Sequence, residues 1–230
     1  MSKLAPIVME LLDQVARHSE AGPGVTRLFL TDQHRQTVAM VQGWMQDAGM
    51  ETKLDDAGTL VGRVQGASPH SRVLILGSHI DSVRHGGKFD GMLGVLLPIV
   101  CIGHLRSRGV SLPYTLEIVA FGDEEGVRFP TTLLGSRAFA GLVANKDLDV
   151  TDETGVSLRE ALKRFGCNPA AIPRSLAIHQ EHWASSKFIS SKARSWKLRD
   201  NLSGASPRLR ASNATGCLIA ESPVTLGLRR

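Results

Sequence analysis

Arg72-Val73-Leu74-Ile75-Leu76-Gly77-Ser78-His79-Ile80-Asp81 is the stretch on which the reading of this chain turns. Its continuous apolar run predicts a strand buried on both faces, as in a parallel sheet. His79 and Asp81 follow at once, where the carboxyl end of a parallel strand delivers side chains to a cleft. Two further clusters stand at comparable places. Gly86-Gly87-Lys88-Phe89-Asp90-Gly91 precedes an apolar stretch at Gly91–Arg108, and Asp123-Glu124-Glu125-Gly126 follows the apolar run Tyr114–Phe121. Asp and Gly are common in turns. Three clusters of one imidazole and several carboxylates, all at the ends of apolar runs, instead predict convergence on one site.

Working outward, Ala5–Arg17 has helical spacing of Ile7, Val8, Leu11, Leu12 and Val15. Thr31 can cap a helix from about Asp32 to Ala48, closed by Gly49. Strands are predicted at Glu51–Leu54 and Thr59–Val64, joined by the turn Asp55-Asp56-Ala57-Gly58. Gly91–Arg108 is apolar nearly all round, so a well-buried helix is expected. Helices are also expected at Ser136–Leu142 and Ser157–Phe165. Strand, helix and strand in this order predict a layered α/β domain with a crossover between parallel strands.

Composition narrows the classes of function. Hydrophobic residues make up 42% of 230, enough for a core, and no run of 18 apolar residues suggests a membrane span. Three cysteines without metal spacing, and no secretory pattern at the amino terminus, predict a reducing cytoplasm. The net charge of +5 belongs to the last quarter: residues 178–230 hold nine Lys/Arg against three Asp/Glu. A nucleic-acid-binding tail and a segment foreign to the rest are the two readings of that excess.

The chemistry follows from the residue types. His79 can offer its imidazole to a metal, while Asp81 accepts a hydrogen bond from the ring nitrogen not on the metal and fixes the tautomer. Glycines around Asp90 allow close backbone approach, and a carboxylate there can bridge two cations. Glu124 and Glu125 are neighbours in extended chain and point opposite ways, so one can bind metal while the other faces water as a general base.

Gly77–Asp81, Gly86–Gly94, Ala120–Phe129 and Leu134–Gly141 together resemble the dimetal amidohydrolases comprising N-carbamoyl-L-amino acid hydrolases, allantoate amidohydrolases and β-ureidopropionases. These are relatives of the aminoacylase- and carboxypeptidase-type metallopeptidases. Gly24-Val25-Thr26-Arg27-Leu28 and Trp44–Gly62 also look like that family. The resemblance implies a three-layer sheet-and-helix catalytic domain. It implies two divalent ions, zinc or manganese with cobalt or nickel able to serve, held by His79, a bridging Asp90 and Glu125. Glu124 is then the general base, and Asp81 keeps the part given above, as the carboxylate behind the His79 ring. The implied substrate is a small ureido or amide compound, with no nucleic acid or membrane as partner. The family forms homodimers through a smaller lid domain.

The departures are as informative. Residues 1–177 match the amino-terminal part of the catalytic domain, and two further histidine ligands of the family are missing. His179 and His182 do not stand in the family's motif. Read two nucleotides later, Phe188–Leu198 can encode the family's H-I-E-Q-G-P motif, and Pro223–Arg230 can encode G-H-A-G-T-T-P. The expectation is therefore a frameshift between about Ile172 and Glu181, with 178–230 an out-of-frame, poorly ordered tail whose basicity is accidental. Metal-dependent hydrolysis of a linear C–N bond is the implied activity; the alternative is an inactive remnant of such an enzyme.

Overall fold

The computed structural model describes residues 4–172 and, as backbone strands, Lys187–Ser190, Arg208–Ala211 and Leu218–Glu221. The deciding unit is strand–helix–strand: β3 (Val73–His79), α3 (Met92–Ser107) and β4 (Thr115–Phe121). β3 and β4 pair in parallel, with Val73 beside Thr115 and His79 beside Phe121. Both strands thus end at the same level. Ile80 N–H donates to the Phe121 carbonyl at 2.9 Å, so Asp81 and Gly122–Glu125 leave the sheet side by side.

β1 (Glu51–Leu54) and β2 (Leu60–Val64) form the expected hairpin, and β2 pairs antiparallel with β4. Its turn closes because Asp55 Oδ1 accepts from the amides of Ala57 and Thr59 at 2.9 and 2.8 Å. With β5 (Lys187–Ser190), β6 (Arg208–Ala211) and β7 (Leu218–Glu221), the sheet order is β1-β2-β4-β3-β5-β7-β6. The boundary expected at residue 177, and His179 and His182, lie outside the described residues.

Apolar side chains cluster on both faces of the sheet, as the layered α/β reading requires. One cluster joins α1 (Leu4–Ala16), α2 (Asp32–Asp47), α3 and α5 (Leu158–Phe165) to Leu60, Ile118 and Ala120. The other packs Phe139 of α4 (Leu134–Phe139) on Val73, Ile75, Val119 and Phe121. The Thr31 cap is present, its hydroxyl accepting from His34 N–H, and Gly49 follows the helix in left-handed conformation. Two expectations change. Leu74 and Leu76 of β3 are only partly buried, and α3 exposes Leu93 and Leu97 by 39% and 45%. An all-apolar helix sequence does not say which of its sides is left uncovered.

Candidate metal centre

His79 is the last residue of β3, Asp90 lies in the loop two residues before α3, and Glu125 follows β4 by four residues. The fold brings all three together: one donor atom from each lies within 4.8 Å of the others. His79 Nε2 is 3.5 Å from Asp90 Oδ1 and 3.8 Å from Glu125 Oε1. His79 is buried, Glu125 half-buried, and the Asp90 side chain 42% exposed, so the group sits at the wall of an open face.

The donor chemistry can be tested against an ion. His79 Nδ1 lies 2.9 Å from the main-chain oxygen of Asp81, and a carbonyl only accepts, so Nδ1 carries the hydrogen. With the hydrogen on Nδ1, Nε2 is the nitrogen that faces the two carboxylates and would offer its lone pair to an ion between them. Separations of 3.5 and 3.8 Å are long for hydrogen bonds. Donors sharing a zinc-sized cation at about 2.0–2.2 Å stand roughly 3–3.5 Å apart, close to what is seen. One imidazole and two carboxylates fit a divalent cation of the zinc or manganese kind.

Asp81 does more than the sequence expectation gives it. Its carbonyl is the nearer acceptor for the His79 ring, at 2.9 Å, and its carboxylate oxygen stands farther off, 3.7 Å from Nδ1. The carboxylate accepts the backbone N–H groups of Glu124 and Glu125, each at 3.1 Å. Asp81 therefore ties the end of β3 to the acidic loop after β4. Burial works to raise its pKa, but the His79 ring and the two amides outweigh that and hold it below the usual carboxylate range.

Glu124 and Glu125 diverge as their adjacency predicts. Glu125 turns to His79, while Glu124 Oε2 accepts from Ser136 Oγ of α4 at 3.3 Å. Asp123, in left-handed backbone at φ 53°, is fully buried and accepts a short hydrogen bond from the Thr131 hydroxyl. Burial lifts its carboxyl well above the ordinary range; the Thr131 bond opposes this, and the charges of Asp81 and Glu124 add to it. Asp123, Thr131 and Ser136 were not assigned from sequence. Ser136 lies inside the Leu134–Gly141 motif, which is the one signal that could have pointed to it.

Known proteins resemble the chain over the segment that carries these residues. Residues 59–158 match the model of Peptidase family M28. The chain is 42% identical over 152 residues to an N-carbamoyl-L-amino acid amidohydrolase of Geobacillus stearothermophilus, covering 66% of this chain and 37% of that protein. It is 39% identical over 154 residues to an allantoate deiminase of Arabidopsis thaliana, covering 66% of this chain and 29% of that protein. A crystal structure of a hydantoinase/carbamoylase family amidase from Burkholderia ambifaria superposes with a TM-score of 0.67 at 36% identity, over 71% of this chain and 40% of that one. The chain thus spans well under half the length of each of these relatives. Over the residues it shares with them, it belongs to the family of N-carbamoyl-L-amino acid and allantoate amidohydrolases.

Proposed function

We propose that this chain carries the amino-terminal part of the site of a metal-dependent amidohydrolase acting on linear ureido or amide C–N bonds, in substrates of the N-carbamoyl amino acid or allantoate type. The supporting observation is the convergence of His79, Asp90 and Glu125, with Glu124 next to Glu125 in the chain and its carboxylate held by Ser136. His79, Asp90 and Glu125 would hold the metal; two ions, zinc or manganese, are the reading the family resemblance favours. A divalent cation bound there supplies positive charge that polarises the substrate carbonyl. Glu124 is the general base: its carboxylate takes a proton from the water whose oxygen bonds to the carbonyl carbon. The same proton goes to the leaving nitrogen as the C–N bond breaks. Ser136 and the Asp81-bound backbone keep Glu124 turned away from the donor group. Among the described residues no helix is long and apolar enough to cross a membrane.

A second reading, a chain that binds metal without turnover, rests on the fact that only three donors converge among the described residues. Ammonia release from N-carbamoyl amino acids and from allantoate, with Mn2+ or Zn2+ added, separates the two. The enzyme reading expects turnover, lowered by about 10²–10⁴-fold in Glu124→Gln with metal still bound. Metal binding without turnover supports the second reading.

A further inference from the structure

The motif Gly24-Val25-Thr26-Arg27 takes no part in the chemistry above, yet it lies against the loop that carries Asp90. Val25 N–H donates to the Gly86 carbonyl at 2.9 Å, and Gly86 N–H returns the bond to Val25 at 2.8 Å. Ser82 N–H donates to the Arg27 carbonyl at 3.0 Å, and Arg27 N–H to Ser82 Oγ at 2.9 Å. The Arg27 guanidinium, 2% exposed as a residue, donates from Nε to the carbonyl of Ile80, the residue after His79. Thr26 Oγ1 accepts from His85 N–H at 2.9 Å. Gly24, at φ +69°, lets the two segments close up, since a Cβ there would stand 2.8 Å from the Gly86 oxygen.

We propose that this motif is a clamp that positions Asp90 for metal, with the Thr26 hydroxyl as its positioning group; the proposal rests on the metal-site reading above. His79 and Asp90 are eleven positions apart, and the loop between them contains two glycines in succession, Gly86 and Gly87. Left loose, such a loop has to be ordered by the ion, and that cost is subtracted from affinity. The clamp closes it beforehand. His85 stands at the hinge, a non-glycine residue in left-handed backbone at φ 58°. A conformation of that kind persists only where its surroundings determine it, and the Thr26 hydroxyl holds the amide of that very residue. Thr26 is buried, so its substitution alters the loop without touching a donor atom.

The test compares Thr26→Val, which keeps shape and loses the acceptor, with Thr26→Ser, which keeps the hydroxyl. Mn2+ is titrated into the chelator-treated full chain, and amide hydrogen exchange is followed in the metal-free protein. The expected result is a tenfold to hundredfold weaker Mn2+ affinity in Thr26→Val, about the effect of losing a group that orients a ligand. Thr26→Ser binds like the unsubstituted chain. Exchange quickens at residues 85–91 in Thr26→Val, while the amides of β4 keep their protection. Unchanged Mn2+ affinity in Thr26→Val overturns the proposal alone, as does equal weakening in both variants. An unsubstituted chain that binds no Mn2+ overturns the metal-site reading and the proposal with it.

Discussion

His34 has no part in the proposed chemistry, yet it sets how the chain responds to acid. It is fully buried, its ring 5.3 Å from those of both Phe29 and Phe165, with Leu30 N–H donating to Nδ1. Burial drives its pKa down to about 3; Asp81 pulls upward, while Arg27, Arg35 and Arg128 push it further down. The unfolded chain, with an ordinary histidine near 6.5, takes up the proton first as pH falls. Stability is therefore full above about pH 6.5 and is lost progressively toward pH 3. At pH 5 this loss is on the order of 2 kcal/mol. Urea unfolding at pH 7 and pH 5 checks it: between the two, the native chain loses that increment relative to His34→Leu. An equal loss in both places the acid sensitivity elsewhere. The donors themselves were legible in sequence, because His79, Asp90 and Glu125 each stand at a strand or helix end. Thr26, Thr131 and Ser136 were not, because a hydroxyl announces nothing until its distant partner is known.

Helix α3 depends for its start on Gly91, which sits at φ 67° with no side-chain cap. A Cβ there would stand 2.5 Å from the His79 carbonyl oxygen and 2.6 Å from its ring. Gly91→Ala therefore strains the backbone, at about 1–3 kcal/mol, and displaces the imidazole. Gly87, in the same loop, has nothing near its Cβ position and no positive φ. Denaturant unfolding together with Mn2+ titration should show Gly91→Ala destabilised and weakened at least about tenfold in affinity. Gly87→Ala should lie within about 0.5 kcal/mol of the native chain. Equal behaviour of the two variants would separate α3 from the metal centre. Helices with end signals were legible: Thr31 and Gly49 bound α2, and Ser157 and Gly166 bound α5. The uncovered side of α3 was not, because apolar residues surround that helix and its pattern names no direction.

The whole described molecule is organised around one crossover. Because β3 and β4 are parallel neighbours in register, their ends place His79 and the Asp123–Gly126 loop together, and the loop from β3 into α3 keeps Asp90 at the same edge. That topology could be read from two apolar runs and the helix between them. The long-range clamp of residues 24–27 on 80–86 could not, since no local spacing encodes a contact across more than fifty residues. The account stands on a cation shared by His79, Asp90 and Glu125. X-ray absorption at the zinc edge reads that ion's donors directly, on the chain carrying one equivalent of Zn2+ and on His79→Ala treated alike. The account predicts one imidazole among nitrogen and oxygen donors at about 2.0–2.2 Å, with the imidazole signal gone in the variant. An identical zinc environment in the two proteins, or a sulfur donor near 2.3 Å, would contradict it.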